Sequence, residues 1–104
     1  MARYDVYRNP SPKGRAAMPY LLDVQADVLA ILDTRVVIPL APDRPIPGVP
    51  KALQPTVLVE GQPMMVLTPL VSAMARSGLG PLVGNVSGDG PELLRALDFL
   101  LTGS

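Results

Sequence analysis

Two stretches decide the fold: Tyr20-Leu-Leu-Asp-Val-Gln25 and Val36-Val-Ile-Pro-Leu40. Both are short, apolar and rich in branched residues, which predicts strands rather than helices. Pro39 has no amide to donate to a ladder, so the second strand is expected to lie at a sheet edge or carry a bulge there. Working outward, Arg3-Tyr-Asp-Val-Tyr-Arg8 alternates polar with aromatic or branched residues, the period of a strand. Asn9-Pro-Ser-Pro-Lys-Gly14 separates it from Tyr20 and reads as a turn-rich loop. The four prolines at 42, 45, 47 and 50 exclude a helix from Ala41–Pro50 and predict a long surface loop.

Further along, Thr56-Val-Leu-Val-Glu60 and Met64-Met-Val-Leu-Thr68 flank Gly61-Gln62-Pro63, a hairpin signal. Leu79–Val86 is apolar but broken by Gly80, Pro81 and Gly84, so only a short strand is expected there. The clearest helix signal is terminal. Pro91 suits a first helical position, Glu92 complements the helix N-terminus, and Gly103 suits the C-terminal cap. Leu93, Leu94, Leu97, Leu100 and Leu101 follow helical spacing with Arg95 and Asp98 between them. The expected fold is one all-β, barrel-like domain over residues 1–104, with a terminal helix at about Pro91–Leu101 and no second helix between strands. The helical stripe is wider than one small sheet usually needs, which predicts an oligomer interface or a partner groove.

Composition excludes much chemistry. The 104 residues contain no His, Cys or Trp. Zinc fingers, thiol redox motifs and Ser–His or Cys–His dyads are therefore out of reach. Thirteen Pro and nine Gly stay under the roughly 25–30% at which such a mixture suggests disorder. Nine cations balance nine anions, which argues against a general electrostatic hold on nucleic acid. The longest fairly apolar stretch, Pro63–Met74, is shorter than the roughly 20 residues that span a bilayer. The first residues lack the apolar run of a signal peptide. A cytoplasmic protein with no membrane, nucleic-acid or cofactor partner is expected.

Few residues stand out as catalytic. Asp23 and Asp27 are four apart, which on an extended chain separates their carboxyl groups by roughly 13 Å, too far to share a proton or a metal. They are expected to be surface carboxylates. Ser72, Ser77 and Ser87 have no His to activate them, and Lys13 and Lys51 lie far away in sequence. Gly84-Asn-Val-Ser-Gly88-Asp-Gly90 matches neither a P-loop nor a dinucleotide fingerprint, so its glycines are expected to shape turns. The arginines at 3, 8, 15, 35, 44, 76 and 95 are dispersed and expected on solvated faces. Met18, Met64 and Met65 are expected to fill the core.

The segment Tyr20-Leu-Leu-Asp-Val-Gln-Ala-Asp27, followed by Val36-Val-Ile-Pro-Leu-Ala41, resembles the CcdB family, toxins of two-gene toxin–antitoxin systems that poison DNA gyrase. Tyr4-Asp-Val-Tyr7, Gln54-Pro-Thr-Val57, Met64-Met-Val-Leu-Thr68 and the helix stopping at Gly103 continue the likeness almost end to end, with extra residues in loops near 13–19 and 69–78. The resemblance implies an SH3-like, mostly antiparallel β-fold with one C-terminal α-helix. It also implies a homodimer, a cognate antitoxin and the DNA gyrase A subunit as target, with no enzymatic activity. By position, the gyrase contacts it implies are Val28, Leu29, Asp98, Leu101, Thr102, Gly103 and Ser104. The implied antitoxin contacts are Arg8, Lys13, Arg15, Pro42 and Arg44, on two loops.

The tail departs from the family pattern. Thr102 stands where the family has a Trp, Asp98 where it has an Asn, and Ser104 where it has an apolar residue. A buried Trp is a typical interface anchor, worth ~2 kcal/mol or more, and Thr cannot replace it. Two alternatives follow: a binding module or toxin remnant with a weakened or redirected target, and an endoribonuclease like the MazF toxins, which share the fold class. A ribonuclease would need an acid or base beside a cation.

Overall fold

In the computed structural model, which describes residues 1–42 and 45–103, the chain forms seven strands and a terminal helix. They are β1 (Asp5–Arg8), β2 (Tyr20–Asp23), β3 (Thr34–Ala41), β4 (Thr56–Val59), β5 (Gln62–Val66), β6 (Ser72–Ala75), β7 (Leu82–Asn85) and α1 (Gly90–Thr102). The sheet order is β4-β5-β3-β2-β1-β7, with β6 also paired to β3. Each pairing is antiparallel. The result is the expected mostly-β fold, a curled half-barrel sheet with one C-terminal helix.

The spine is β3, and Pro39 corrects the sequence reading. It lies neither on an edge strand nor at a bulge, but directly opposite Leu21 of β2. On its other side β3 changes partner, from β6 at residues 34–37 to β5 at Leu40 and Ala41. The Pro39 carbonyl points into that gap and accepts from the Leu67 amide at 3.1 Å. The ring nitrogen faces the same way, so the missing donor falls where no strand asks for one.

Two other expectations need correction. The β4–β5 turn is the pair Glu60–Gly61 rather than Gly61–Pro63, with Val59 paired to Gln62. Both central residues have positive φ, 52° at Glu60 and 78° at Gly61. That is the hand of turn that matches strand twist. Residues 72–75, expected within a loop, form β6. Ser-Ala-Met-Ala has little strand propensity of its own, and pairing with β3 supplies what the side chains lack.

Alternation sorts the two sheet faces. Val6, Leu22, Ile38, Leu40, Val57, Val59, Met64 and Val66 form the apolar core under α1, which inserts Leu93. Full burial of one Leu stabilises by roughly 1.5–3 kcal/mol. Met64 is buried here as expected, and Ala96 is the helix's other buried side chain of this face. The helix ends as the sequence indicates. Gly103 adopts φ 79°, and its amide donates to the Phe99 carbonyl at 2.8 Å. At the far edge, β1 continues beside residues 80–81, where a Cβ on Gly80 would sit 2.4 Å from the Arg8 carbonyl oxygen. Only glycine fits that approach.

The opposite face is buried too, but polar. Asp23 and Arg35 are both fully inaccessible, against the expectation of a surface carboxylate and a solvated arginine. Arg35 Nε donates to Asp23 Oδ2 at 2.8 Å, and Nη2 lies 2.6 Å from the same oxygen. Such burial is tolerated because each charge neutralises the other. Beside them, the buried Tyr7 hydroxyl donates to Asp5 Oδ2 at 3.2 Å.

Candidate target- and antitoxin-binding surfaces

β2 carries the molecule's polarity, since each of its ends leads to one of the surfaces implied from sequence. Past Asp23 the chain enters the segment 24–33 and returns in β3. Asp23 and Gln25 shape this segment. Asp23 Oδ1 accepts the Gln25 amide at 3.0 Å, so the carboxylate that neutralises Arg35 also turns the chain. Gln25, itself buried, then spans the loop mouth. Its Nε2 donates to the Leu29 carbonyl at 2.9 Å, and its Oε1 accepts the Val36 amide at 3.1 Å. A short 3₁₀ turn, Asp27–Leu29, follows. The Asp-Val-Gln signature therefore acts as an internal staple.

The stapled segment carries apolar side chains into solvent. Val28 is 84% exposed and Ile31 86%, and Leu29 and Leu32 are also exposed. Leu29 lines a groove of about 500 Å³ whose other walls include Val36, Val71, Leu97 and Leu101. Leu101, in the last turn of α1, is 75% exposed. The structure thus brings together the two segments that the sequence assigned to one target. Its polar complement is small, because apart from Gln25 and Ser72 the lining side chains are apolar.

The remaining tail positions lie at the rim. Asp98 and Thr102 are exposed. Thr102 Oγ1 donates to the Asp98 carbonyl at 2.6 Å, bonding back onto the helix in the last turn. Gly103 directs the chain out of the helix by its positive φ. Ser104 lies outside the described residues. Ile31 and Leu32 were not singled out from sequence, and Leu97 was named there only as part of the helical stripe. The signal for the first two was an apolar Ala30-Ile-Leu32 run between strands, where no core position awaited it.

The other end of the sheet holds the second set. Arg8, Tyr20 and Leu40 stand in register across β1, β2 and β3, so the 9–19 loop and Pro42 leave from the same end. Lys13, Arg15 and Pro42 are exposed there, and Arg44 lies outside the described residues. Glu60, from the β4–β5 turn, reaches the same place. It accepts from the Tyr20 hydroxyl at 3.1 Å and pairs with Arg8 Nη2 at 3.4 Å. Tyr20 titrates above its ordinary value, first because of burial and then because it donates to Glu60.

These are the described Arg–carboxylate ion pairs, and only one is accessible. Arg35–Asp23 cannot meet a phosphodiester, while Arg8–Glu60 is open to solvent. Among the described residues, no three His, Cys, Asp or Glu side chains cluster as a metal site. Among the described residues no helix is long and apolar enough to cross a membrane.

The family model described as "CcdB protein" matches residues 3–103. The chain belongs to the CcdB family, and so to the toxin side of toxin–antitoxin systems. Among solved structures it is similar to an endoribonuclease in complex with its cognate antitoxin from a mycobacterial species. The likeness has a TM-score of 0.75 and covers 97% of this chain and 94% of that one, at 16% identity. At that identity the likeness is one of fold. No curated protein matches the chain.

Proposed function

We propose that this protein is a gyrase-directed toxin that acts in the cytoplasm by binding rather than catalysis. On this reading a homodimer presents the 28–32 loop and the end of α1 to the A subunit of DNA gyrase. A small antitoxin neutralises it through the opposite end, at Arg8, Lys13, Arg15, Pro42 and Arg44. One observation carries the reading: Leu29 and Leu101, both matched by the family resemblance to the same target, line one apolar groove. The dimer is supported by apolar surface that α1 leaves uncovered at Leu94. Light scattering at micromolar concentration should return about twice the 11.0 kDa of one chain.

The test is expression in a gyrase-sensitive bacterium with and without the antitoxin gene, alongside purified gyrase and total RNA. Growth arrest relieved by the antitoxin, with gyrase-dependent DNA breaks and intact RNA, is the expected result. RNA cleavage without an effect on gyrase would overturn it in favour of an endoribonuclease. The tail favours a second reading, a toxin remnant with a weakened or redirected target. Thr102 bonds back to Asp98 and puts no large apolar group beyond Leu101. Under that reading T102W gains toxicity that the wild type lacks.

A further inference from the structure

We infer that Arg76 is a positioning residue of the target-binding surface, an inference that rests on the gyrase reading above. Arg76 follows β6, and its amide donates to the Asp33 carbonyl at 2.7 Å, closing the base of the loop. Its side chain then turns back over the loop. Nη2 donates to the Ala30 carbonyl and, at 2.5 Å, to the Leu32 carbonyl. With Gln25 holding Leu29, the carbonyls of Leu29, Ala30, Leu32 and Asp33 accept from two side chains and one amide.

A five-residue apolar loop has every reason to collapse onto the groove beside it. Val28 and Ile31 stay in water because their backbone is fixed from beneath. The loop's own bonds are weak turn contacts, Leu29 amide to Ala26, Ala30 amide to Asp27 and Leu32 amide to Leu29, at 2.9–3.1 Å. A cation on two acceptors, the Ala30 and Leu32 carbonyls, adds charge-assisted bonds and draws its donor from the turn that follows β6, which belongs to neither the loop nor the tail. Ordering the loop before the partner arrives removes an entropic cost from association. That matters more in a chain whose tail carries Thr102 in place of an aromatic anchor.

Arg76 is exposed, so R76A and R76K should both fold. Amide exchange of the full-length protein is measured first, without target. R76A is expected to exchange the Leu29, Ala30 and Leu32 amides about tenfold faster, with the melting temperature and the β3 amides unchanged. R76K, which keeps the charge, should restore part of the protection. Calorimetry against a gyrase A fragment should then show R76A about tenfold weaker than wild type, with R76K between them. Unchanged exchange in R76A overturns the inference, and so does faster exchange with unchanged affinity. A wild type that fails to bind the fragment overturns the gyrase reading instead. Growth arrest then decides: less arrest with R76A carries the positioning role to another target, and equal arrest, or none in either, overturns it.

Discussion

Leu29 and Leu101, one in the loop after β2 and the other in the last turn of α1, line the same groove of about 500 Å³. Neither is needed to complete the core under the helix, which Leu93 and its neighbours fill. Two leucines left wet at one mouth are better placed for a partner than for folding. Replacing either by Ala should weaken target binding by about 10- to 100-fold, the equivalent of roughly 1.5–3 kcal/mol for a buried leucine. The melting temperature should hardly move. A large fall in stability with L29A or L101A would show that these side chains belong to the fold instead.

The Asp23–Arg35 pair makes the opposite forecast. Removing one partner leaves a bare charge in a fully inaccessible site, so D23A or R35A should cost about 3–5 kcal/mol by urea denaturation. A double replacement by apolar residues of similar volume should recover much of that loss. If D23A is as stable as wild type, the pair is not the structural centre of the polar face.

Alkaline pH should expose the Tyr7 environment. Burial, then the charge and hydrogen bond of Asp5, push its hydroxyl up to about 12 from an ordinary 10.0. The folded state therefore keeps a proton that the unfolded chain releases. Its stabilisation is complete below pH 10 and is lost as pH rises through about 12, by up to roughly 2 kcal/mol. Y7F should flatten that part of the stability curve. An unchanged slope would place the alkaline transition elsewhere.

The antitoxin end should be separable from the target end. β3 has eight residues, which at about 3.3 Å each hold its two ends some 23 Å apart. K13E/R15E is expected to weaken antitoxin binding about tenfold through reversed charge and to leave gyrase binding intact. If antitoxin affinity is unaffected, that surface has been misplaced.

What the sequence shows of this fold follows the range of each interaction. Alternation in Arg3–Arg8 and the capped stripe of α1 are local, and both elements form close to where they were expected. β6 was hidden because Ser-Ala-Met-Ala becomes a strand only against β3. The buried Arg35 looked like any dispersed arginine, since its partner Asp23 lies on another strand. The same holds for the site. Val28, Leu29 and Leu101 were legible through resemblance, but the grip of Arg76 on the Ala30 and Leu32 carbonyls crosses from the turn after β6 to the loop. No spacing rule marks such a contact.

The most direct measurement is calorimetry of the wild type, L101A and T102W against a gyrase A fragment. The wild type should bind, more weakly than a relative with an aromatic tail, because losing ~2–4 kcal/mol at an anchor costs roughly 30- to 1000-fold. L101A should weaken it further, and T102W should tighten it. No detectable binding by any of the three would contradict the gyrase reading at its root.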